Sequence, residues 1–591
     1  MTGRDYGVYR PLLPAVCPAD PDRMAYAGDA DGRCEIFAWD RATGVPRQVT
    51  DRPHGTLLCT IDAEAAVWWF DEDHRGHGHW RVQDFEGGPH LPAFPRAAPG
   101  RPRGLAMTDR GLVAAGLEDP EGLRVHLGRR GGPDTVVLRT DRHARLCDLA
   151  PHGDLLALAG PAHSPHAITL VTPDGTTVGT LPGTAGRIWA LGFHPACADP
   201  LLLVMREQDG RYRLGTWRPS RGVDLYPWCS FDTETTARWY PDDGRILLRQ
   251  NRHGRSRLFT ADPLRRTVTA LPVPAGSILD AAPRGGGDVH YIWTDAVTPP
   301  RTLSLSGTRM PGRDDWRVPA YGRHRDLWTP GPDGPVHTLL SLPADRPRPW
   351  PLVFLLHGGP ADHDRDAYDP MVQSLTASGF AAARVNYRGS TGYGPSWRTA
   401  YPEGVGHTQV ADLVRVRADL LRRGVGRAGA VGLCGTSWGG YLVLLALGTH
   451  PGLWNAGVAV KPVADCATSF RHSTPALQAL DTALFGGTPD QVPERYAHAS
   501  PTTWAGAVRS PLLIVAARGD AKCPPEQIEV YLAALRAGAV RHDLVWLDSG
   551  HDGYDGAEHV AVMERSLRFL GRSLAGTPAR GAPAPDVPAP Q

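Results

Sequence analysis

The sequence contains very little lysine. Of its 63 basic residues, only Lys461 and Lys522 are lysines, and the remaining 61 are arginines. The net charge is close to zero, at +1. This excludes the strong positive field with which proteins attract nucleic acid or an anionic membrane surface. We therefore expect neither as a partner.

The sequence also lacks paired cysteines and long hydrophobic runs. Its nine cysteines are scattered, and no two of them form a C-x-x-C pair, which argues against a zinc site or a disulfide framework. No segment reaches the roughly 18 consecutive apolar residues of a membrane-spanning helix, and the first residues lack the apolar core of a signal peptide. We expect a cytoplasmic protein with reduced thiols.

The first half of the chain carries a repeat. At 591 residues the chain is too long for one hydrophobic core. A strand–turn–strand unit recurs about every 45 residues, a period that fits one four-stranded propeller blade. A pair of β-sandwiches would also show short strands, but it has no reason to keep a fixed period. We predict a seven-bladed β-propeller over residues 1–315, with units that start near Arg23, Ala66, Gly111, Leu155, Leu201, Ile246 and Val289.

After Asp315 the pattern changes to apolar strands that alternate with amphipathic helices. Examples are the strands PLVFLLHGGP and AAARVNY and the helix-like VADLVRVRADLLRRG. This alternation predicts a mostly parallel sheet covered on both faces. We assign an α/β-hydrolase domain to residues 316–575, beginning with an antiparallel edge hairpin near 335–342. The Pro/Ala-rich segment 576–591 has nothing to bury, and we expect it to be disordered.

Residues 435–439, Gly-Thr-Ser-Trp-Gly, form a G-x-S-x-G motif between a predicted strand and a predicted helix. A serine in this context lies on a turn so tight that its neighbours must be small, and the turn exposes its hydroxyl above the sheet. The motif therefore predicts that Ser437 is a nucleophile.

A serine nucleophile needs a base, and the base needs a carboxylate that orients it. In an α/β-hydrolase the chain order is serine, acid, histidine, each just beyond a strand. Asp520 follows the strand PLLIVAARG and His551 follows HDLVWLDSG, so we predict these as the acid and the base. Asp548 and Asp552 are rival acids, for which a loop-capping role is the simpler interpretation.

Two main-chain N–H groups should stabilise the oxyanion. Trp438, at the start of the helix after the serine, supplies one. The loop LLHGGP supplies the other; we favour Gly359, with Gly358 or the His357 side chain as alternatives.

The motifs HGGP, NYRGSTGYG, GTSWGGY and SGH together resemble the prolyl oligopeptidase family of serine peptidases. The acylaminoacyl-peptidase and dipeptidyl-aminopeptidase-like branch is the most similar. The resemblance implies a propeller joined to an α/β-hydrolase, the triad Ser437, Asp520 and His551, an oxyanion hole formed by Gly359 and Trp438, and short peptide substrates filtered by size. No metal or organic cofactor is needed for this chemistry.

Three residues are predicted to line the substrate pocket: Lys461, Cys466 and Phe470. Lys461 and Cys466 depart from the small or apolar residue and the aromatic residue that the family usually has at these places. Because Lys461 and Lys522 both follow strands of the hydrolase sheet, they could contact a substrate carboxylate; chance placement is the alternative.

Three functions remain open at this stage. The first is an oligopeptidase that releases an acylated or free N-terminal residue or dipeptide. The second is an esterase or amidase that acts on a small-molecule acyl substrate with the same triad. The third is a non-catalytic propeller scaffold, against which the complete triad argues. A homo-oligomer is compatible with this sequence.

Overall fold

The structure is a computed structural model, and it describes residues 12–73, 76–312, 321–552 and 556–574. Seven small antiparallel sheets are followed in the chain by one large mixed sheet. The predicted combination of a propeller and an α/β-hydrolase is confirmed. The proposed domain boundary at 315/316 and the segment 576–591 lie outside the described residues.

The first four blades each contain four strands in sequential order. Their strands are β1 (Ala15–Val16), β2 (Arg23–Ala30), β3 (Arg33–Asp40), β4 (Pro46–Gln48); β5 (Cys59–Ile61), β6 (Ala66–Glu72), β7 (Gly78–Asp84), β8 (Leu91–Pro92); β9 (Arg101–Met107), β10 (Leu112–Asp119), β11 (Gly122–Arg129), β12 (Asp134–Thr140); and β13 (Arg145–Leu149), β14 (Leu156–Ala159), β15 (Ile168–Val171), β16 (Thr177–Leu181).

Blades five and six are built in the same way, and the described part of blade seven has three strands. These strands are β17 (Ile188–Phe193), β18 (Leu202–Gln208), β19 (Arg211–Arg218), β20 (Gly222–Phe231); β21 (Thr235–Trp239), β22 (Ile246–Arg252), β23 (Arg255–Asp262), β24 (Thr267–Ala270); and β25 (Ser277–Pro283), β26 (Val289–Thr294), β27 (Arg301–Ser304).

The sequence repeat follows the second strand of each blade. The predicted units at Ala66, Ile246 and Val289 begin at the first residues of β6, β22 and β26. Each second strand lies between two partners within its sheet. The ends of the ring meet where the Arg284 side chain, in blade seven, donates a hydrogen bond to the carbonyl of Pro14 beside blade one (3.3 Å).

The hydrolase sheet has eight strands in the order β28-β29-β31-β30-β32-β33-β34-β35. The first two strands form the predicted antiparallel edge hairpin, and the strands from β31 to β35 run parallel. The strands are β28 (Arg323–Thr329), β29 (Val336–Leu342), β30 (Trp350–Leu356), β31 (Ala381–Asn386), β32 (Gly426–Thr436), β33 (Ala456–Val460), β34 (Leu512–Ala517) and β35 (Asp543–Leu547).

Helices cover both faces of this sheet. They are α1 (Pro370–Ala377), α2 (Pro395–Arg398), α3 (His407–Arg422), α4 (Trp438–Thr449), α5 (Cys466–His472), α6 (Pro475–Phe485), α7 (Pro493–Ala499), α8 (Pro501–Trp504), α9 (Pro525–Ala537) and α10 (Gly556–Leu574), with short 3₁₀ turns at Gly285–Gly287 and Ala505–Ala507. None of the helices in the described ranges is long and apolar enough to cross a membrane.

The topology brings the ends of three parallel strands to one edge of the sheet. Ser437 follows β32, Asp520 lies in the loop after β34, and His551 lies in the loop after β35. Helix α4 is buried along nearly its whole length, which fixes the turn that carries Ser437 from beneath. The propeller faces the same edge, and residues of both domains line a cavity there.

Candidate active site

Ser437 has a strained backbone that its neighbours permit. Its φ and ψ are 58° and −120°, a backbone conformation that residues other than glycine rarely adopt. A Cβ on Gly435 would lie 2.4 Å from the carbonyl carbon of Gly439, and a Cβ on Gly439 would lie 2.0 Å from the carbonyl oxygen of Leu356. The two glycines of the motif are therefore required by packing, and the turn exposes the serine side chain at the sheet edge.

The three residues predicted as a triad are hydrogen-bonded in series. His551 Nε2 lies 3.1 Å from Ser437 Oγ, and His551 Nδ1 lies 2.7 Å from Asp520 Oδ2. Because a carboxylate accepts, Nδ1 carries the imidazole hydrogen and Nε2 is left to accept the serine proton. The second oxygen of the buried Asp520 accepts hydrogen bonds from the main-chain N–H groups of Lys522 (2.9 Å) and Cys523 (2.7 Å), so the carboxylate is fixed from both sides.

The rival acids lie elsewhere. The Asp548 side chain is 97% exposed and faces Arg518, with the nearest charged atoms 3.6 Å apart. Asp552 forms an ion pair with Lys522 (2.8 Å). The carboxylate that is hydrogen-bonded to the His551 ring is that of Asp520.

The predicted oxyanion donors flank the serine. Trp438 is the first residue of α4, where main-chain N–H groups have no partner within the helix. A Cβ built on Gly358 would lie 3.8 Å from Ser437 Cβ, which places the HGGP loop against the nucleophile. Gly359 adopts φ +133°, a conformation open mainly to glycine. In the described part of the chain, the N–H groups of Gly359 and Trp438 donate to no protein atom.

The His357 side chain supports this loop from behind. Its ring stacks on Tyr387 (centroids 4.3 Å apart), Nδ1 donates to the carbonyl of Gly358 (2.7 Å), and Nε2 lies 2.8 Å from the Ser390 hydroxyl. Burial lowers the pKa of His357 to about 4, so the ring is neutral near pH 7. With Nδ1 protonated, Nε2 accepts from Ser390 and has no proton to offer an oxyanion.

Lys461 lies at the end of β33, as expected, and its side chain contacts the loop that carries His551. Its side chain is 8% exposed, and its ammonium donates to the carbonyls of Gly550 (2.6 Å) and His551 (3.1 Å) and to the hydroxyl of Ser549 (3.3 Å). The ammonium thus binds the loop that carries His551, and it also lies 3.9 Å from the Glu558 carboxylate. In this structure the residue supports the His551 loop and lines a cavity with Gly358 and His551; its contact with a substrate carboxylate stays a prediction.

The other residues predicted for the pocket lie together on α5. Cys466 is buried at the first position of the helix, where its N–H donates to the Ser500 hydroxyl (2.9 Å). Phe470 is partly buried and packs edge-on against Tyr496, with ring centroids 5.9 Å apart. Lys522 is about half exposed, paired with Asp552, and lies at the wall of the space between the domains.

Sequence reasoning missed Cys523. This thiol is buried beside the triad, and burial raises its pKa well above the ordinary value. One donor atom each of Asp520, Cys523 and His551 lies within 4.8 Å of the others, a spacing that a metal ion could use. The hydrogen bond between Asp520 and His551 occupies two of these atoms and the neutral thiol is a poor ligand, so the group fits a triad better than a metal site.

A cavity of about 580 Å³ lies between the propeller and this edge of the hydrolase sheet. The propeller contributes His54, Glu72 and Arg101 to its wall, and the hydrolase domain contributes Leu477 and His551. A volume of this size accommodates a short peptide or a small molecule.

Comparison with known proteins agrees with this geometry. Residues 367–577 match the sequence profile of the prolyl oligopeptidase family. The acylamino-acid-releasing enzyme of Homo sapiens is 31% identical over 338 residues, 50% of this chain and 44% of that protein. The enzyme of the same name from Sus scrofa is 31% identical over 206 residues, 34% of this chain and 28% of that protein. The chain thus matches less than half the length of these relatives.

Among solved structures, a puromycin-hydrolyzing peptidase of Mycobacterium tuberculosis superposes with a TM-score of 0.81 over 98% of this chain and 97% of that chain, at 19% sequence identity. This likeness concerns the fold. It includes the propeller, which the sequence profile does not cover. The strained Ser437 and the hydrogen-bonded Asp520 and His551 all lie within the residues that match the profile. Residues 367–577 therefore form a domain of the prolyl oligopeptidase family.

Proposed function

We propose that this protein is a serine peptidase that hydrolyses short peptides and releases an acylated or free N-terminal residue or dipeptide. The observation that carries the proposal is the hydrogen-bonded series from Ser437 through His551 to Asp520, built on a strained turn. A structural serine has no need of a backbone conformation that costs on the order of 1–3 kcal/mol.

In the proposed mechanism His551 Nε2 removes the Ser437 proton while Oγ attacks the scissile carbonyl. Asp520 holds the imidazole in the required tautomer, and the N–H groups of Gly359 and Trp438 stabilise the oxyanion. The imidazolium then gives its proton to the leaving amine. Water, activated by the same ring, hydrolyses the acyl-enzyme and restores the serine.

Two observations support a short peptide as the substrate. The curated relatives are named acylamino-acid-releasing enzymes and dipeptidyl peptidases, and the cavity above the site is too small for a folded protein. A small-molecule amide or ester would use the same residues, and it is the alternative outcome of the test below. We also propose a cytoplasmic location, which is supported by nine cysteines that are all free thiols.

The test is turnover of a substrate panel by the purified protein and by Ser437→Ala. The panel holds p-nitroanilides of acetyl-Ala, Ala-Ala and Gly-Pro, and a p-nitrophenyl acyl ester. We expect cleavage of at least one anilide and its loss by at least about 10⁴-fold in Ser437→Ala. Cleavage of the ester alone would contradict the proposed peptidase activity and indicate an esterase. If no substrate is turned over and a fluorophosphonate does not label Ser437, the result indicates a non-catalytic scaffold.

A further inference from the structure

Arg101 presents a guanidinium group to the cavity between the domains. It is the first residue of β9 in blade three, and it lines the same cavity as His551. The residue is partly exposed, so a molecule in the cavity can reach it. Burial lowers the pKa of Arg101, but a guanidinium stays protonated at neutral pH. The propeller side of the cavity therefore carries a fixed positive charge.

The protein does not pair this charge with an acid. Within the described ranges the Arg101 side chain makes no hydrogen bond and no ion pair, and its Nε is buried without a partner. Glu118 is the residue opposite Arg101 on the neighbouring strand. Its carboxylate is already bound by the guanidinium of Arg103, with Nε 2.8 Å from Oε2. Since unsatisfied buried donors cost free energy, a ligand that offers an acceptor to Arg101 is favoured.

The other charged side chains of this wall have partners within the protein. The pairs are Arg103 with Glu118, Lys522 with Asp552 (2.8 Å), Asp548 with Arg518 (3.6 Å), Glu558 with the Ser549 hydroxyl (2.6 Å) and Asp73 with the N–H of His77 (3.0 Å). Glu72 is also partnered. The charge of Asp73 acts on Arg101 without forming an ion pair with it. An anion that enters the cavity therefore meets paired charges elsewhere and an unpaired guanidinium at Arg101.

The cavity lies on the side of the triad where the leaving part of a peptide would be. In the proposed mechanism His551 gives its proton to the leaving amine, so the leaving segment starts beside this ring. The ring also lines the cavity. A sphere of 580 Å³ is about 10 Å across, which is the length of about three extended residues. A short leaving segment therefore brings its terminal carboxylate to the propeller side of the cavity.

We propose that Arg101 binds the terminal carboxylate of a short peptide substrate. This rests on the proposed function and specifies its substrate class: peptides with about one to three residues after the scissile bond. A planar guanidinium suits a carboxylate because two parallel N–H···O bonds can form. The contact is stronger in a cavity between two domains than on an open surface, because less water screens the charges.

The test uses pairs of alanine peptides that differ only in the terminal group, a carboxylate or a carboxamide. Each pair is made with an acetylated and with a free N-terminus and in several lengths, and mass spectrometry identifies the bond that is cleaved. The wild type is compared with Arg101→Gln, which removes the charge. Arg265→Gln is the matched control, because that side chain is 80% exposed and pairs with Asp262 at the propeller surface (2.7 Å).

We expect kcat/KM of the wild type to be at least about tenfold higher for a short carboxylate peptide than for its carboxamide. The difference should appear in KM, because a contact remote from the reacting bond is made equally in the bound substrate and in the transition state. Arg101→Gln should remove the preference and change the carboxamide by less than about threefold, and Arg265→Gln should keep the preference. Arg101→Lys, which keeps the charge but not the paired donors, should retain part of it. Equal turnover of each pair by the wild type, or an unchanged preference in Arg101→Gln, would overturn the proposal.

The length of the leaving segment gives a second readout. The preference should be largest with about one to three residues after the cleaved bond and should disappear with five, because the carboxylate then lies beyond the guanidinium. A preference that is equal at all lengths would indicate the general field of the cavity and contradict a fixed contact. Lys522→Gln removes a neighbouring charge that is paired with Asp552. If this variant loses the preference as completely as Arg101→Gln, the effect is one of net charge and the proposal fails.

Failure of the proposed function is distinguishable from failure of this inference. The p-nitroanilides carry no carboxylate in the leaving group, so their cleavage reports peptidase activity independently of Arg101. If no peptide is cleaved, calorimetry measures the binding of Ala-Ala-Ala and of its carboxamide to Ser437→Ala. Binding of the carboxylate that is at least about tenfold tighter, and is lost when Arg101→Gln is added, supports the contact without any turnover. Equal affinities, or no binding of either peptide, refute it. If Arg101→Gln does not fold, Arg101→Met takes its place in the same comparisons.

Discussion

At the residue scale, Ser437 is the position where sequence and backbone conflict most. Its conformation, φ 58° and ψ −120°, suits glycine, yet a serine occupies it. Such strain persists when the surroundings impose it, here the packing of Gly435 against Gly439 and of Gly439 against Leu356. The strained turn and the exposed nucleophile are thus one feature.

The strain at Ser437 predicts that two variants at this position differ in their free energy of unfolding. Ser437→Gly and Ser437→Ala both remove the hydroxyl, but only glycine relieves the backbone. We expect the glycine variant to be more stable than the alanine variant by about 1 kcal/mol, after the greater freedom of glycine in the unfolded chain is counted. Calorimetry of the two variants under the same conditions measures the difference. An alanine variant that melts at the same or a higher temperature would argue that the turn is unstrained.

Some residues of the site could be predicted from sequence and others could not. Ser437, Asp520 and His551 follow strands in a fixed order, so a local motif and topology were enough to locate them. Cys523 belongs to no motif, and its closeness to His551 arises only when the loops after β34 and β35 meet in the fold. Lys461 was located on the correct strand end, but the direction of its long side chain depends on its left-handed backbone (φ +45°), which the sequence does not reveal.

At the scale of the elements, the loop after β35 depends on the end of β33. Lys461 follows β33, and its ammonium donates hydrogen bonds to the carbonyls of Gly550 and His551. The hydrogen bonds of His551 to Ser437 and Asp520 therefore rely on a contact made by another strand. The propeller repeat shows the opposite case. Its second strands could be predicted because their pattern of apolar residues is local, whereas two-residue edge strands such as β1 and β8 are too short to show one.

Lys461→Met should lower kcat by about 10- to 100-fold with little change in KM, because methionine leaves the loop carbonyls unbound and the base misplaced. The loss should be the same for acidic and neutral substrates, and the melting temperature should change by a few degrees at most. Steady-state kinetics on paired acidic and neutral anilides measure this. A rise in KM confined to acidic substrates would restore a direct role in binding a carboxylate.

At the scale of the whole molecule, a buried ion cluster joins the two domains. Arg398 of α2 pairs with Glu207 and Glu234 of the propeller and contacts Tyr212, and the arginine side chain is 6% exposed. The same Glu234 accepts a hydrogen bond from the N–H of Gly392 (2.5 Å). Because these groups come from distant parts of the chain, no sequence pattern predicts the cluster.

Removal of one partner from this cluster should be costly. Arg398→Met removes the cation paired with two carboxylates whose side chains are 16% exposed, and we expect a loss of about 3 kcal/mol in the free energy of unfolding. The triple variant Arg398→Met, Glu207→Gln, Glu234→Gln should recover most of that loss because no buried charge remains. Denaturant titrations followed by tryptophan fluorescence compare the variants. If the single and triple variants are equally unstable, the loss comes from packing and not from charge.

The scarcity of lysine has a practical consequence for labelling. Of the two lysines, Lys461 is buried beneath the His551 loop and Lys522 is half exposed at the rim of the space between the domains. Apart from the amino terminus, an amine-reactive dye used in limiting amount should therefore attach mainly to Lys522, in the wall of the cavity that His551 also lines. A fluorophore fixed there would report the arrival and departure of ligands in real time, without an engineered cysteine.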